Sequence, residues 1–454
     1  MSVEQFGYKQ ELNRALTYRD LMTYGLIFMV PIAPFGIFGS VFNVSGGMIA
    51  LAYAIGMVGM MLTASSYAQM SKAFPMAGSV YTYAGRGINP SLGFLAGWVI
   101  LLDYVLVPTL LYIVAAIAMN SFIASIPVWA WVLFFVIANT IINARGIVLT
   151  AKVNRYFLIG ELIVLAIFIA IGVAAVVQGK GNGFSFDAFY NSNTFSVSLV
   201  LGAVSVAVLS FLGFDGISML AEENKEHADQ LGKAMRGALL LAGALFIVQT
   251  WLAAMLVPSP DKIIAEGDPS GTAFYAAAEV AGGVFLNKLT ALATAIAWGF
   301  ANALVAQAAT SRLLYAMSRD KQLPKFLSKV DAKSKSPINA TYVVAVVSIV
   351  LGLFFATQRE DFGLTLLSTL VNFGALTAFI VLHLSVIVHF KFRGKSGDNF
   401  RHFLVPLAGV VLLSWVVIKA NVVAQQVGVV WAITGFVLLA VAYATGRKPK
   451  LSGL

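Results

Sequence analysis

Cysteine is absent from this sequence, and charged residues are scarce. The 454 residues contain no Cys, and only 11% are Asp, Glu, Lys or Arg, whereas soluble domains carry roughly a quarter. The absence of Cys excludes disulfides, thiolate metal sites and thiol chemistry. The low charge excludes an ordinary soluble fold, because such a fold needs more polar surface than this chain offers. With 59% hydrophobic residues, the sequence indicates an all-α membrane protein.

Motifs for catalysis and nucleotide binding are absent as well. No GxxxxGK[ST] stretch is present, so ATP is not expected to drive this chain directly. The four histidines lack metal-ligand spacing, and no cluster of nucleophile and base stands out. We therefore expect no enzyme activity, no cofactor and no metal site. The polar first 20 residues lack the apolar core of a cleavable signal peptide.

Apolar runs long enough to cross a bilayer recur along the chain. A membrane helix needs about 20 apolar residues, and this length predicts twelve spans, which places both termini on one side. The predicted spans are Leu21–Val44, Met48–Met70, Gly93–Met119, Val128–Ile142, Tyr156–Gln178, Leu199–Leu220, Met235–Val257, Leu286–Leu314, Ile338–Thr357, Leu364–His389, Phe403–Val422 and Val427–Tyr443.

The basic residues predict the orientation of these spans. With a cytoplasmic N-terminus, all but five of the 30 Lys and Arg residues fall on the cytoplasmic side. The five exceptions are Lys180, Lys262, Lys288, Arg359 and Lys419. This bias follows the positive-inside rule, which accounts for the net charge of +10 without a nucleic-acid partner. We expect a multi-pass protein of the cytoplasmic membrane with both termini in the cytoplasm.

Two of the predicted spans contain helix-breaking residues. Pro31 and Pro34 interrupt the first span, and Gly213 and Gly216 interrupt the sixth. Proline removes a backbone donor and clashes with a preceding carbonyl. If the first ten spans form two five-helix halves, the breaks occupy corresponding places in inverted halves, which is the sequence signature of a binding site at the bilayer midplane.

Four stretches carry a resemblance to a known family. They are Gly36-Ile37-Phe38, Ala73 to Tyr83 followed by Gly93 to Trp98, Phe211 to Asp215 followed by Glu222 and Glu223, and Ser311 to Pro324. These stretches resemble the APC superfamily of amino acid–polyamine–organocation transporters, over about residues 15 to 390. The resemblance implies a LeuT-like fold with two inverted five-helix repeats, at residues 21–178 and 199–390. Helices 11 and 12 then follow at 403–443, and cytoplasmic segments lie at 1–20 and 444–454.

Within the superfamily, one branch is most similar. Leu101 to Tyr104 and the Phe-Leu-Gly-Phe-Asp stretch look most like bacterial putrescine importers. That branch carries an acidic residue just before the Phe-Gly of helix one, where this chain has Ala33 and Pro34. A second carboxylate for a diamine is therefore missing at this place.

Asp103 is the first candidate for substrate contact. It lies about ten residues into the third span, or roughly 15 Å deep, near the midplane. A lone charge there costs about 2.5–3.5 kcal/mol on insertion scales. We interpret Asp103 as a counter-charge for an amine or as a proton carrier, and the alternative is a structural hydrogen bond to a neighbouring helix.

Glu161 is the second candidate for proton coupling. In relatives, a lysine at the matching place is thought to substitute for a sodium ion by cycling its proton, and here the residue is Glu. A carboxyl group in a medium of low dielectric constant can exchange protons near neutral pH. The alternative is a side chain that reaches the cytoplasmic interface. If the chain were coupled to sodium, Thr310 and Ser311 would be the candidate ligands.

The half-helices themselves are predicted to bind substrate. Free N–H groups at the start of the half-helix near Phe35 suit a carboxylate, and free carbonyls of helix six suit an ammonium. Asp215 contacts substrate or caps the half-helix, while Glu222 and Glu223 are expected to pair with Arg or Lys in the loops. The predicted substrate-binding residues are Ile32, Ala33, Phe35, Gly36, Asp103, Tyr104, Phe211, Gly213, Phe214, Asp215 and Trp298.

These features favour a secondary transporter that imports amino acids or small organic amines by proton symport. An importer of putrescine-type polyamines and an exchanger of amines or amino acids remain open as alternatives. A channel is the alternative of another class, but no repeated selectivity-filter segment is present. The expected partners are a small-molecule substrate, a coupling proton and the lipid bilayer.

Overall fold

The computed structural model describes residues 3–268, 271–356, 360–419, 422–446, 448–449 and 451. Helices make up most of these ranges, and loops such as residues 178–196 connect them. An isolated parallel bridge between Leu16 and Asn224 is the only β-type pairing in the described residues. The prediction of an all-α protein is confirmed.

Sixteen α-helices follow one another along the described chain, joined in places by short 3₁₀ or π-helical turns. The helices are α1 (Tyr18–Met29), α2 (Pro34–Val44), α3 (Ile49–Ala73), α4 (Ser79–Gly87), α5 (Pro90–Phe122), α6 (Val128–Ala144), α7 (Ile147–Val177), α8 (Val197–Ala207), α9 (Asp229–Leu256), α10 (Pro260–Glu266), α11 (Ala273–Ile296), α12 (Ala303–Arg319), α13 (Ile338–Ala356), α14 (Glu360–Val386), α15 (Val405–Lys419) and α16 (Val422–Ala444).

The number of membrane spans is close to the predicted twelve. Over the described ranges, ten helical stretches are long and apolar enough to cross a bilayer, and α1 with α2 forms an eleventh, bent by 52°. The remaining candidate, α6, has only 17 residues. It is shorter than the roughly 20 residues of a typical span, so the twelfth crossing stays a prediction.

One helical stretch, Ala273–Arg319, contains the predicted eighth span, Leu286–Leu314. Its 47 residues are about twice the length that one bilayer crossing needs. Gly282 and Gly283 have non-helical backbone angles, with a φ of 68° at Gly283, and divide the stretch into two helices. The predicted span lies in the second of them, after the double glycine. Thr357, the predicted end of the ninth span, lies outside the described residues.

The first and sixth spans occupy the centre of the bundle. Helix α1 packs against α9 and against a 3₁₀ segment, Phe214–Glu223, that continues α8. Helix α5 contacts α14 and α12, and its Tyr104 reaches Phe28 of α1 and Asp215 of the sixth span. These contacts bring the neighbouring Asp103 to the level of both helix breaks.

Candidate functional site

A cavity lies between the two broken helices and α5. Its volume is about 50 Å³. Its lining is mostly apolar and includes Asp103 as the one charged residue among the described lining residues. The lining residues are Phe28, Met29, Ala33, Ile37, Asp103, Val107, Leu110, Leu111, Leu209, Ser210, Leu212, Gly213, Trp298 and Asn302.

The break in the first span follows from its two prolines. Helix α1 ends at Met29, Val30 takes a left-handed φ of 54°, and α2 begins at Pro34. Pro31 and Pro34 cannot donate to preceding carbonyls, so the helical hydrogen-bond ladder stops here. The side chain of Gln249 in α9 donates to the freed carbonyl of Pro31 at 2.9 Å. A neighbouring helix thus satisfies a backbone group that lipid could not.

Glycines produce the break in the sixth span. Leu212 is extended, and Gly213 has a φ of 117°, a conformation that residues with a Cβ rarely adopt. A Cβ atom on Gly213 would lie 2.6 Å from Cγ of Phe28, and one on Gly216 would lie 2.5 Å from Cδ1 of the same ring. The two broken helices therefore meet through Phe28, and both glycines are needed for this close approach.

Two buried aspartates near the breaks differ in their hydrogen bonds. Asp215 accepts from the Tyr104 hydroxyl at 2.5 Å and from the Gly213 N–H at 3.2 Å. Asp103 lines the cavity and is only 5% exposed, yet no described residue donates a hydrogen bond to its carboxyl group. Asp215 is thus held by the protein, whereas the acceptor capacity of Asp103 is not used by the described residues.

A π-helical segment of the eighth span completes the cavity. Residues Ala297–Asn302 form this segment, and π-bulges often occur at functional sites. It presents Trp298 and Asn302 to the cavity. The amide of Asn139 in α6 donates to the carbonyl of Gly299 at 2.9 Å, and that of Asn143 donates to Leu304 at 2.9 Å. Two amides from α6 therefore hold the irregular backbone.

Four predicted substrate-binding residues line the cavity, namely Ala33, Asp103, Gly213 and Trp298. The others lie around it. Tyr104 and Asp215 bond to each other, and Gly36 packs against the Trp298 ring. Phe35 stacks on Phe274 with ring centres 4.0 Å apart, and Ile32 is fully buried. Phe211 packs on Tyr53 and Phe246. Phe214 packs on Tyr67 and Phe379.

Apart from Asp103, the candidates for ion coupling lie away from the cavity lining. Glu161 is 5% exposed, and neither of its carboxyl oxygens has a hydrogen-bond partner among the described residues. It borders a side groove formed with Leu289, Ala293 and Ala297. Thr310 donates to the carbonyls of Tyr104 and Ala306, and Ser311 donates to that of Gln307.

One end of the bundle, which we call the N-terminal face, is closed by buried ion pairs. Glu223 pairs with Arg312 at 2.5 Å, and Glu222 pairs with Arg319 at 2.7 Å. Both carboxylates are fully buried. Their partners lie on α12 and not in the loops, contrary to the sequence expectation. These pairs tie the end of the sixth span to the end of the eighth.

The N-terminal segment covers these ion pairs. The backbone carbonyl of Glu223 accepts from the N–H groups of Ala15 and Leu16. The Tyr8 hydroxyl donates to Asp320 at 2.5 Å, and Arg319 lies over the Tyr8 ring at 4.0 Å. Burial, followed by the nearby charge of Asp320, raises the pKa of Tyr8 to about 12. Tyr8 therefore keeps its proton, and the segment covers the ion pairs at this face.

Sequence reasoning missed most of the apolar lining, which α1, α2, α5 and the segment after α8 supply. It also missed two amides of α6 and one of the π-helical segment. No motif marks Asn139, Asn143 or Asn302. Their role depends on the π-helical segment, which no local sequence pattern predicts. The one available signal was an unusual number of amides inside apolar helices, where polar residues ordinarily have a partner.

Comparison with known proteins agrees with this geometry. A sequence model of the amino acid permease family matches residues 21–445. The low-affinity putrescine importer PlaP of Escherichia coli strain K12 is 30% identical over 446 residues, covering 97% of this chain and 96% of the importer. The branched-chain amino acid permease BcaP of Bacillus subtilis is 25% identical, covering 95% and 93% of the two chains. A methylthioribose transporter of Bacillus subtilis is also 25% identical, covering 88% and 87%.

The family match spans nearly all of the chain, and the relatives are similar along almost their whole length. The many apolar helices make the protein a multi-pass membrane protein. It is a transporter and not an enzyme. The chain belongs to the amino acid permease family, within the APC superfamily.

Proposed function

We propose that this protein is a secondary transporter that imports amino acids or small organic amines by alternating access. One observation carries the proposal: two broken helices meet beside a central cavity whose one charged residue, among those described, is Asp103. Broken helices at the midplane are the usual binding site of such transporters. Similarity to a putrescine importer and to a branched-chain amino acid permease supports substrates that carry an ammonium group.

The contacts between helices support two inverted halves. In a fold of two five-helix repeats related by a two-fold axis, spans one and six, two and seven, and four and nine are equivalent pairs. In this chain α1 packs on Phe214–Glu223, α3 packs on α9, and α6 packs on α13. These contacts pair three of the five spans with their equivalents. Twelve crossings put both termini on one side, and the bias of basic residues puts that side in the cytoplasm. The closed N-terminal face is then cytoplasmic and the cavity faces outward.

A flux experiment separates the transporter from a channel. Purified protein in liposomes loaded with unlabelled amine should take up labelled amine against its gradient, because an alternating-access carrier exchanges one molecule for another. The uptake should saturate with substrate. Conduction of current that rises without saturation would contradict the proposal and favour the channel.

Proton coupling through Asp103 or Glu161 is part of the proposal. Glu161 is buried without a hydrogen-bond partner among the described residues, and Ala297 of the π-helical segment borders both its groove and the cavity residue Trp298. Uptake driven by an inward pH gradient, without sodium, is expected. Uptake that needs sodium and ignores the pH gradient would overturn proton coupling and favour Thr310 and Ser311 as ligands.

An exchanger is the second candidate. The buried ion pairs at the N-terminal face stabilise the closed state, and a carrier that returns only when loaded would exchange amines and would not accumulate them. Liposomes without internal substrate distinguish the two: net accumulation driven by the pH gradient supports symport, and uptake only into preloaded liposomes supports exchange.

A further inference from the structure

The cavity lacks positive charge for binding a carboxylate. Among its described lining residues, neither Lys nor Arg nor His is present, and Asp103 supplies a negative charge. A carboxylate placed beside Asp103 would be repelled and would lack a cationic partner. The indole N–H of Trp298, a cavity residue, has no partner among the described residues and offers one neutral donor. The remaining source of positive potential in such a site is the N-terminus of a half-helix, here that of α2.

The amide groups at the start of α2 are already used. A helix ordinarily leaves its first four N–H groups free. Here Ala33 donates to Val30 at 2.8 Å, Phe35 donates to Ile32 at 2.9 Å, and Gly36 donates to Ala33 at 3.2 Å. Pro34 has no N–H group to offer. The half-helix therefore presents few donors to a carboxylate.

Ile32 is the exception in this stretch. Its N–H group has no partner among the described residues, but Ile32 does not line the cavity and is fully buried. A single amide outside the lining does not replace the several donors that an α-amino acid carboxylate requires.

Acceptors, by contrast, remain available. Asp103 accepts no hydrogen bond from the described residues, and Oδ1 of Asn302 is likewise without a donor. No described N–H group donates to the carbonyl of Leu212, which follows the 3₁₀ turn before Gly213. All three residues line the cavity. A primary ammonium group has three donors, which matches an acceptor set of this kind.

The rest of the lining is apolar. Met29, Ile37, Val107, Leu110 and Leu209 surround the space beyond Asp103. A second ammonium group in that space would lose its hydration without gaining a carboxylate, and buried charges need a partner. An alkyl or aryl body would instead be favoured by burial against these side chains.

We propose that the cavity takes primary amines with one ammonium group, an apolar body and no carboxylate. This inference rests on the proposed transport function and narrows its substrates. The ammonium binds at Asp103, and the apolar body extends along Ile37, Leu110 and Leu209.

Three ligands of five carbons test the inference on the full-length protein. Pentylamine carries one ammonium, 1,5-diaminopentane carries two, and norvaline carries one ammonium and one carboxylate. Competition against a labelled amine, or calorimetry in nanodiscs, should rank pentylamine at least tenfold tighter than either other ligand. If norvaline bound as tightly as pentylamine, the inference that the cavity has no carboxylate site would be wrong. Diaminopentane binding more tightly than pentylamine would overturn the single ammonium site.

Substitution of the acidic residue locates the site. Asp103→Asn should weaken pentylamine binding at least tenfold, while Asp187→Asn, the same change on an exposed residue of an outer loop, should leave it unchanged. Equal binding by the Asp103→Asn variant would overturn the assignment. Failure of the inference is distinct from failure of the transport function: tight norvaline binding leaves a transporter of amino acids, whereas no saturable flux of any amine or amino acid removes the function itself.

Discussion

Removal of one charge from the buried ion pairs should open the N-terminal face. Glu223 is fully buried, and its carboxylate accepts from Nε and Nη2 of Arg312 at 2.5 and 2.8 Å. In the variant Glu223→Gln, the closed state retains the buried guanidinium of Arg312 without its counter-charge. In the open state Arg312 can reach water. The substitution therefore destabilises the closed state more than the open state.

The size of this effect follows from the burial of the pair. Breaking a buried ion pair by removing one partner costs about 3–5 kcal/mol. The Gln amide oxygen can still accept one hydrogen bond from Arg312, so the lower end, about 3 kcal/mol, applies. Each 1.4 kcal/mol changes an equilibrium tenfold, so the ratio of open to closed protein should rise on the order of 100-fold.

Thiol labelling measures this ratio directly, because the native chain has no Cys. Ser218 is fully buried on the 3₁₀ segment between Asp215 and Glu222, and Ser218→Cys introduces a single, nearly isosteric thiol. Its labelling by a maleimide follows the open population when opening and closing are fast. With Glu223→Gln the rate should rise on the order of 100-fold.

Two controls make the result decisive. Glu226→Gln removes a charge from an exposed residue of the same turn and should leave labelling unchanged. Ser348→Cys reports from a buried position on α13 and should stay protected unless the whole protein unfolds. Unchanged labelling of Ser218→Cys in the Glu223→Gln variant would refute the reasoning, as would equal labelling with Glu226→Gln.

Three further predictions concern the helix breaks and the coupling residue. Gly213→Ala should lower thermal stability and abolish uptake, because its φ of 117° and the ring of Phe28 leave no room for a Cβ atom. Gly183 also has a positive φ but faces open space, so Gly183→Ala should lower the free energy of unfolding by only about 1 kcal/mol and keep uptake. Asn139→Leu removes the hydrogen bond to the Gly299 carbonyl and should reduce the free energy of unfolding by about 1–3 kcal/mol. The KM for uptake should rise, and an unchanged KM would exclude the idea that this amide supports the cavity. Glu161→Gln should abolish accumulation driven by a pH gradient while exchange continues, and a variant that still accumulates substrate would exclude Glu161 from proton coupling.

Local backbone chemistry made the helix breaks predictable from the sequence. Two prolines within four residues, Pro31 and Pro34, favour a break, although the single Pro108 lies inside the continuous helix α5. Gly213 allows a positive φ in any context. The place of Asp103 beside the helix breaks could be expected from its position in an apolar run, because a helix rises by a fixed amount per residue. Its depth in the bilayer stays a prediction. These features need no knowledge of neighbouring helices.

Features that depend on packing were not predictable. The direction of Phe35, which stacks on Phe274 away from the cavity, is set by the rotation of α2 against α11. The π-helical segment at Ala297–Asn302 and its support by Asn139 depend on contacts between distant spans. The backbone N–H groups at the start of α2 donate to carbonyls of the same turn, and this pattern likewise depends on the conformation around Val30.

The partners of the acidic pair illustrate the same limit. Glu222 and Glu223 were expected to pair with basic loop residues, but they reach Arg319 and Arg312 on α12. Sequence gives the presence of charges at a helix end, whereas the choice of partner requires knowing that the sixth and eighth spans end side by side.

The location of a bound amine tests the central claim most directly. A structure of the full-length protein with pentylamine should contain the ligand between the two helix breaks, with its nitrogen about 3 Å from an Asp103 carboxyl oxygen. The tail should lie against Ile37, Leu110 and Leu209. A ligand bound only elsewhere, such as in the groove beside Glu161, with the central cavity empty, would contradict the account.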